Sequence, residues 1–144
     1  LDVNGTKLTP RYKTIDRPLD HQMHVEFHTR RATGLPAGVF VNESLPSVKV
    51  AANIWNATRD ADVLFQFDDR VPIFGTRDTS IKDPFLLRVN PSYRTERRAQ
   101  SSPHLWTCRL PADLAPGPHI VTVSYTDDGG RTYSSKKLFE VVAW

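Results

Sequence analysis

The sequence contains a single cysteine, Cys108, among its 144 residues. One thiol excludes an internal disulfide framework and any zinc site built on several cysteines, so the fold must depend on its packed core. Long apolar runs are also missing, since none approaches the roughly 18 residues that a membrane helix needs. Charge of one sign is not concentrated, because 19 basic and 16 acidic residues leave a formal net charge of +3. We therefore expect no membrane insertion and no dedicated nucleic-acid binding.

Helical periodicity is a further absence. Eleven prolines and seven glycines interrupt the chain, and no stretch of about 11 residues keeps a clean 3.6-residue apolar period. Apolar residues instead alternate with the two-residue period of a half-buried strand. Good strands of this kind are predicted at 23–28, 48–54, 63–67, 106–110, 119–126 and 138–142, with weaker ones at Lys7–Lys13 and Phe85–Val89. The pattern predicts an all-β protein, an antiparallel immunoglobulin-like β-sandwich.

The clearest turn lies near the C-terminus, at Asp127–Gly130. It separates two alternating segments, and glycine can supply the positive φ that a tight hairpin requires. We therefore predict that the last two strands form a hairpin. We expect a single domain over 1–144, in which 1–40 supplies an extension and the first strands and 45–144 the immunoglobulin-like core.

Three residues on one predicted strand, His24, Glu26 and His28, suggest a zinc site, because two imidazoles and a carboxylate can bind that ion. Alternate residues on a strand are, however, roughly 7 Å apart and diverge with the twist. A solvated strand face is therefore the favoured interpretation.

Acidic residues invite a calcium hypothesis at Asp127-Asp128, at Asp60 and Asp62, and at Asp68 and Asp69, since calcium prefers carboxylate oxygens. The EF-hand spacing is absent, and turn chemistry accounts for the first pair. A Gly-x-Ser-x-Gly elbow is also missing, and the alternating pattern places Cys108 at the core. The residues thus predict neither a metal site nor a catalytic residue in this chain.

Candidate binding residues lie in the connections. Trp55, followed by Asn56, either stacks its indole on a sugar ring or base or caps the edge of the sandwich. Arg94, Arg97 and Arg98 belong to the long polar connection Asn90–Pro103, and loops of that length tend to be functional. These arginines either clamp a phosphate or an acidic neighbouring domain or form a solvated loop.

Short words spread over nearly the whole chain carry a family resemblance. In the first half they are Val3-Asn4-Gly5, Arg11-Tyr12-Lys13, Gln22-Met23, Val50–Asn56 and Asp83-Pro84. In the second half they are His104-Leu105-Trp106, Leu110–Gly117, His119 and Phe139-Glu140-Val141. In their joint order they resemble the C-terminal domain of calcineurin-like phosphoesterases, a family found in multidomain bacterial metallophosphoesterases.

The resemblance implies a β-sandwich module downstream of a metal-dependent phosphoesterase domain, which would supply the metal ligands. Divalent metals are then expected only in that upstream domain, and this chain would be a non-catalytic accessory domain without a cofactor. Its partner would be the upstream domain, and interdomain or ligand contacts would use Trp55, Asn56, Asp83 and the three arginines at 94, 97 and 98. The alternative is a module that binds carbohydrate or the cell envelope through an open Trp55 face. The resemblance also implies an exported bacterial protein, which would be periplasmic or extracellular.

Overall fold

The computed structural model describes residues 2–9, 11–29, 34–89 and 100–143. The first strands in this part of the chain are β1 (Asp2–Asn4), β2 (Lys7–Thr9), β3 (Met23–His28), β4 (Val39–Val41), β5 (Lys49–Ile54) and β6 (Val63–Phe67). They are followed by β7 (Ile73–Phe74), β8 (Thr76–Arg77), β9 (Leu105–Arg109), β10 (Gly117–Thr126) and β11 (Thr132–Val142). The helices are α1 (Pro84–Val89) and a 3-10 helix at Asn42–Ser47. The predicted all-β class is confirmed.

Two sheets face each other and form the sandwich. One has the strand order β4-β11-β10-β6-β7 and the other the order β3-β5-β9-β8. The strand pairs are antiparallel, except that β4 runs parallel to the C-terminal end of β11. A separate hairpin, β1-β2, belongs to neither sheet. The predicted sandwich is therefore confirmed, with β3, from the first 40 residues, as an edge strand of the four-stranded sheet.

The core lies between the inner faces of the two sheets, where the alternating apolar residues of the sequence are buried. Phe65 and Phe67 of β6, for example, lie on the same face as Val121 and Val123 of β10. Trp106 is fully enclosed, and the half-buried Cys108 packs against the core. The side chains predicted to face inward therefore supply most of the apolar burial that stabilises the fold.

The turn between β10 and β11 forms as the sequence predicts. Gly130 adopts a φ of 79°, which is the left-handed conformation that glycine adopts without strain. One carboxylate oxygen of Asp127 accepts the N–H groups of Gly129 and Arg131, both at 2.9 Å, and the other accepts the Tyr133 hydroxyl at 3.2 Å. Asp127 is therefore a turn-forming residue, as its position suggests.

The weak strand predicted at Phe85–Val89 is wrong, because this segment lies in helix α1. Pro84 occupies the first helical position, where its fixed φ suits the helix and its missing N–H costs nothing. Asp83 precedes it, and its carboxylate accepts the N–H of Phe85 at 2.9 Å while its carbonyl accepts that of Leu87 at 3.2 Å. These start signals outweigh the β-forming side chains that follow.

The chain crosses from one sheet to the other at Gly75, between β7 and β8. The Gly75 N–H donates to the carbonyl of Val63 at 2.8 Å, which draws the backbone against β6. A Cβ atom at this position would lie 2.4 Å from Cε2 of Phe65. A glycine is therefore required here for close approach to the core.

We expect Gly75→Ala to lower the free energy of unfolding by about 1–3 kcal/mol, the usual cost of an overpacked core. Chemical denaturation monitored by tryptophan fluorescence measures this change. Phe65→Leu is the matched second substitution, since a smaller ring-free side chain opens the space that the new methyl group needs. If the losses of the two single variants simply add in the double variant, the proposed clash is wrong.

A second constraint joins the end of β6 to the start of β10. Nδ1 of His119 lies 2.7 Å from Oδ2 of Asp68, and its Nε2 lies 2.7 Å from the carbonyl oxygen of Ala115. Both partners are acceptors, so the ring satisfies both only as the imidazolium. Burial alone would lower the pKa of His119, but the hydrogen bonds to Ala115 and Asp68 outweigh it and raise the pKa above 6.5.

Because the folded-state pKa of His119 is raised, its contribution to stability is complete below the unfolded value and is lost as the pH rises through the folded value. We expect native protein to exceed His119→Gln in free energy of unfolding by more at about pH 5.5 than at about pH 8.5. Denaturant titrations at both pH values measure the difference, with His104→Gln as a control for loss of an imidazole. A pH-independent difference would contradict the charged hydrogen-bonding role.

Candidate functional site

The predicted aromatic candidate, Trp55, lies at the end of the sandwich where β5 ends and β3 begins. The register pairs Met23 with Ile54, so the residues just outside both strands are neighbours. The Trp55 N–H donates to the carbonyl of Gln22 at 3.2 Å. This backbone contact holds the tryptophan beside the segment that precedes β3.

Five aromatic and imidazole rings meet here and form what we term the Trp55 cluster: Tyr12, His21, His24, Trp55 and Phe85. The centroid of the Trp55 ring system lies 5.7 Å from that of Tyr12, 5.3 Å from that of His21 and 5.1 Å from that of His24. Tilted and edge-on arrangements at such distances are favourable ring contacts. Trp55 is thus half-buried among three rings that belong to other parts of the chain.

His24 links Trp55 to helix α1. It lies on the outer face of the four-stranded sheet and stacks on Phe85, with centroids 4.1 Å apart and ring planes 10° from parallel. Burial lowers the pKa of His24, and the neighbouring His21 lowers it further. The neutral ring is therefore favoured near pH 7, which suits a stacked aromatic contact.

The predicted residue Asp83 lies beside this cluster and is buried. One of its carboxylate oxygens accepts a hydrogen bond from the side-chain amide of Asn53 at 2.6 Å, and the other accepts the N–H of Phe85. Asn53 faces His24 across the β3–β5 ladder. Asp83 therefore fixes the start of α1 on the sheet and places the Phe85 ring over His24.

Glu26 forms a charge network that the sequence pattern does not reveal. Its two oxygens accept Nζ of Lys137 at 2.9 Å and Nε of Arg88 at 2.8 Å. Lys137 opposes buried Val121 on β10 and so belongs to the inner face of its sheet. The Lys137 side chain extends past the edge of β3 to reach Glu26. The second carboxylate oxygen of Glu26 binds Arg88 of helix α1.

The electrostatics of Glu26 follow from these partners. Burial alone would raise its pKa, but the hydrogen bonds and charges of Lys137 and Arg88 outweigh it and lower the pKa. The only sequence signal for this network is a lysine at an inward position of an alternating strand.

The residues of the zinc hypothesis share one face of β3, as the alternation predicts, yet they do not converge. The Glu26 carboxylate forms ion pairs with the side chains of Lys137 and Arg88, and the His24 ring stacks on Phe85. Over the described ranges, no three His, Cys, Asp or Glu residues are grouped so as to hold a metal ion. The described helices also include none long and apolar enough to cross a membrane.

The structure brings some of the candidate binding residues together. Trp55 and Asp83 share one end of the sandwich, connected through His24 and Phe85, and the carbonyl of Asn56 accepts the Tyr125 hydroxyl at 3.4 Å. The other candidates, Arg94, Arg97 and Arg98, lie outside the described residues. Interdomain or ligand contacts of all six residues stay a prediction.

The chain is similar to known proteins at the level of the family. A family model described as the C terminal of calcineurin-like phosphoesterase matches residues 1–133. No curated protein and no solved structure matches the chain. The match spans the described strands from β1 to β10 and the beginning of β11.

The network around Glu26 predicts a measurable loss of stability. We expect Glu26→Ala to lower the free energy of unfolding by about 2 kcal/mol at neutral pH, because two charge-assisted hydrogen bonds are lost and Lys137 stays on an inner face. The loss should diminish as the pH falls through the folded-state pKa of Glu26. Denaturant titration measures both effects.

The matched control is Asp113→Ala, which removes the exposed partner of Arg70 at 2.7 Å. Exposed ion pairs contribute little, so this variant should unfold almost as the native protein does. Equal losses for the two variants would contradict the structural role assigned to Glu26.

Proposed function

The chain belongs to the family of C-terminal domains of calcineurin-like phosphoesterases, and on that premise we propose that it is a non-catalytic accessory domain of a metallophosphoesterase. In this proposal it packs on the catalytic domain that precedes it and contributes to the shape of the substrate entrance. The family match over residues 1–133 is the observation that carries the proposal. It ties nearly the whole chain to the C-terminal position in such enzymes.

The side chains of the sandwich indicate which of the two domains would bind the catalytic metal ions. Hydrolysis by two metal ions needs clustered ligands that hold the ions about 4 Å apart. In the described residues, the set that most resembles metal ligands is His24, Glu26 and His28. The Glu26 carboxylate is paired with the side chains of Lys137 and Arg88, and the His24 ring stacks on Phe85. The proposal therefore assigns the divalent metal ions to the upstream domain.

The environment of Trp55 supports a protein-facing role over the carbohydrate-binding alternative. Stacking on a sugar needs an open indole face, whereas Trp55 is half-buried and has ring neighbours in Tyr12, His21 and His24. These contacts bind the segment before β3 to the sandwich and make this end firm enough for another domain to pack on. Export to the periplasm or cell exterior stays a prediction.

Coupled stability in the full-length phosphoesterase tests the proposal. Val123→Ala removes core methyl groups from β10 and should destabilise the sandwich by about 2 kcal/mol. If the sandwich packs on the catalytic domain, the midpoint of thermal inactivation of phosphoesterase activity should fall as well. The measurement is residual hydrolysis of a generic aryl phosphate after heating.

Ser134→Ala, at an exposed position of β11, is the control and should leave that midpoint unchanged. Calorimetry of the same proteins must show that Val123→Ala destabilises the sandwich itself. Inactivation that stays at the native temperature despite that loss would overturn the proposed packing. A metal ion lost from folded full-length protein on His24→Gln or His28→Gln would overturn the non-catalytic assignment.

A further inference from the structure

Large apolar side chains are exposed in the part of the chain that precedes β3. The exposed fractions are 62% for Leu8, 55% for Tyr12, 87% for Ile15 and 37% for Leu19. We term this surface the N-terminal ledge: the β1–β2 hairpin together with residues 11–20. Single exposed apolar residues are ordinary, but these four lie close together along the chain, which makes the segment a candidate interaction surface.

The backbone of the ledge has little support of its own. The β1–β2 hairpin has three residues in each strand and pairs with neither sheet. A lone two-stranded hairpin is only marginally stable in water. Residues 11–20 contain no strand or helix in the structure. A packed neighbour would therefore add more stability to this surface than to a complete sheet.

The inner side of the ledge is nevertheless well anchored. The amide group of buried Gln22 donates to the carbonyls of Tyr12 and Leu19, the latter at 2.6 Å. The Tyr12 ring also packs against Trp55. The part of the ledge from Tyr12 to Leu19 is therefore held beside Trp55 while Ile15 is exposed, an arrangement suited to docking without a large rearrangement.

We infer that the N-terminal ledge is the surface on which the upstream catalytic domain docks, an inference that rests on the proposed function. In the proposed order of domains, the catalytic domain precedes β1, so the chain that connects it to the sandwich enters at the β1–β2 hairpin. Covalent connection raises the effective concentration of the two domains for each other, so a modest apolar contact suffices to keep them together. The ledge is the exposed apolar surface nearest to that connection along the chain.

The side chains of the ledge also indicate the character of the partner surface. Lys13, Asp16, Arg17 and Asp20 are exposed among the apolar residues and carry both signs of charge. An apolar centre with a mixed polar rim is typical of contacts between proteins or domains. The matching surface of the catalytic domain should therefore be mainly apolar, without a strong charge of one sign.

A second exposed apolar group provides an internal control. Val71 is 82% exposed and Phe74 67% exposed, both at or beside edge strand β7. They match Ile15 and Leu8 in exposure, yet they lie far from the N-terminal connection along the chain. Docking on the ledge should cover the first pair and leave the second open.

The test measures thiol accessibility in the full-length phosphoesterase with Cys108 and every cysteine of the upstream domain replaced by alanine. Ile15→Cys and Val71→Cys are introduced separately and reacted with a maleimide, and each rate is divided by that of the denatured protein. We expect Ile15→Cys to react about tenfold more slowly than Val71→Cys, which corresponds to about 1.4 kcal/mol of domain contact. Leu8→Cys and Phe74→Cys form a second matched pair.

Equal, fast labelling of both pairs would overturn the ledge as the docking surface. Protection of Val71→Cys and Phe74→Cys with fast labelling of Ile15→Cys and Leu8→Cys would also overturn it, while the proposed packing would survive on a different surface. The accessory function itself fails separately, if heat inactivation of the enzyme is insensitive to Val123→Ala. Since all four positions are exposed, their substitution removes no core contact, and activity of each variant verifies the fold.

Discussion

The Glu26 carboxylate joins three parts of the molecule that would otherwise be held mainly by apolar packing. It lies on edge strand β3 of one sheet, binds Lys137 from the inner face of the other sheet, and binds Arg88 from helix α1. A buried carboxylate with one cation on each side keeps both its oxygens hydrogen-bonded, which avoids the cost of an unpaired buried charge. Glu26 therefore holds the C-terminal part of α1 on the outer face of the sheet through Arg88, while Asp83 holds its start.

From α1, the chain of contacts continues to the candidate functional end. Asp83 starts the helix and binds Asn53, so Phe85 is placed over His24, and His24 in turn packs against Trp55. Each contact is individually modest, but together they connect the middle of the four-stranded sheet to its end. Stacked and edge-on rings of this kind restrict one another because each fits only one arrangement of its neighbours.

The proposed accessory role requires a firm surface more than reactive groups, and the contacts around Trp55 fit that requirement. The ring contacts of Trp55 hold Tyr12, and the Gln22 amide holds the backbone on either side of Ile15. Apolar side chains are thereby presented outward on a supported segment. In the proposed packing, an ordered surface of this kind lowers the entropic cost of the contact with the catalytic domain.

Local patterns in the sequence determined the long strands β3, β5, β6, β9, β10 and β11, most of the inward residues and the turn at Asp127–Gly130, because alternation and turn chemistry act over a few neighbouring residues. Such patterns also carried the family resemblance. Local reading failed at Phe85–Val89, where the helix start signals of Asp83 and Pro84 outweighed apolar residues that would suit a strand. The pairing of Glu26 with Lys137, and the meeting of Trp55 with Tyr12 and His24, depend on sheet order and register. Only the tertiary structure decides those contacts, because it brings together side chains that lie far apart along the chain.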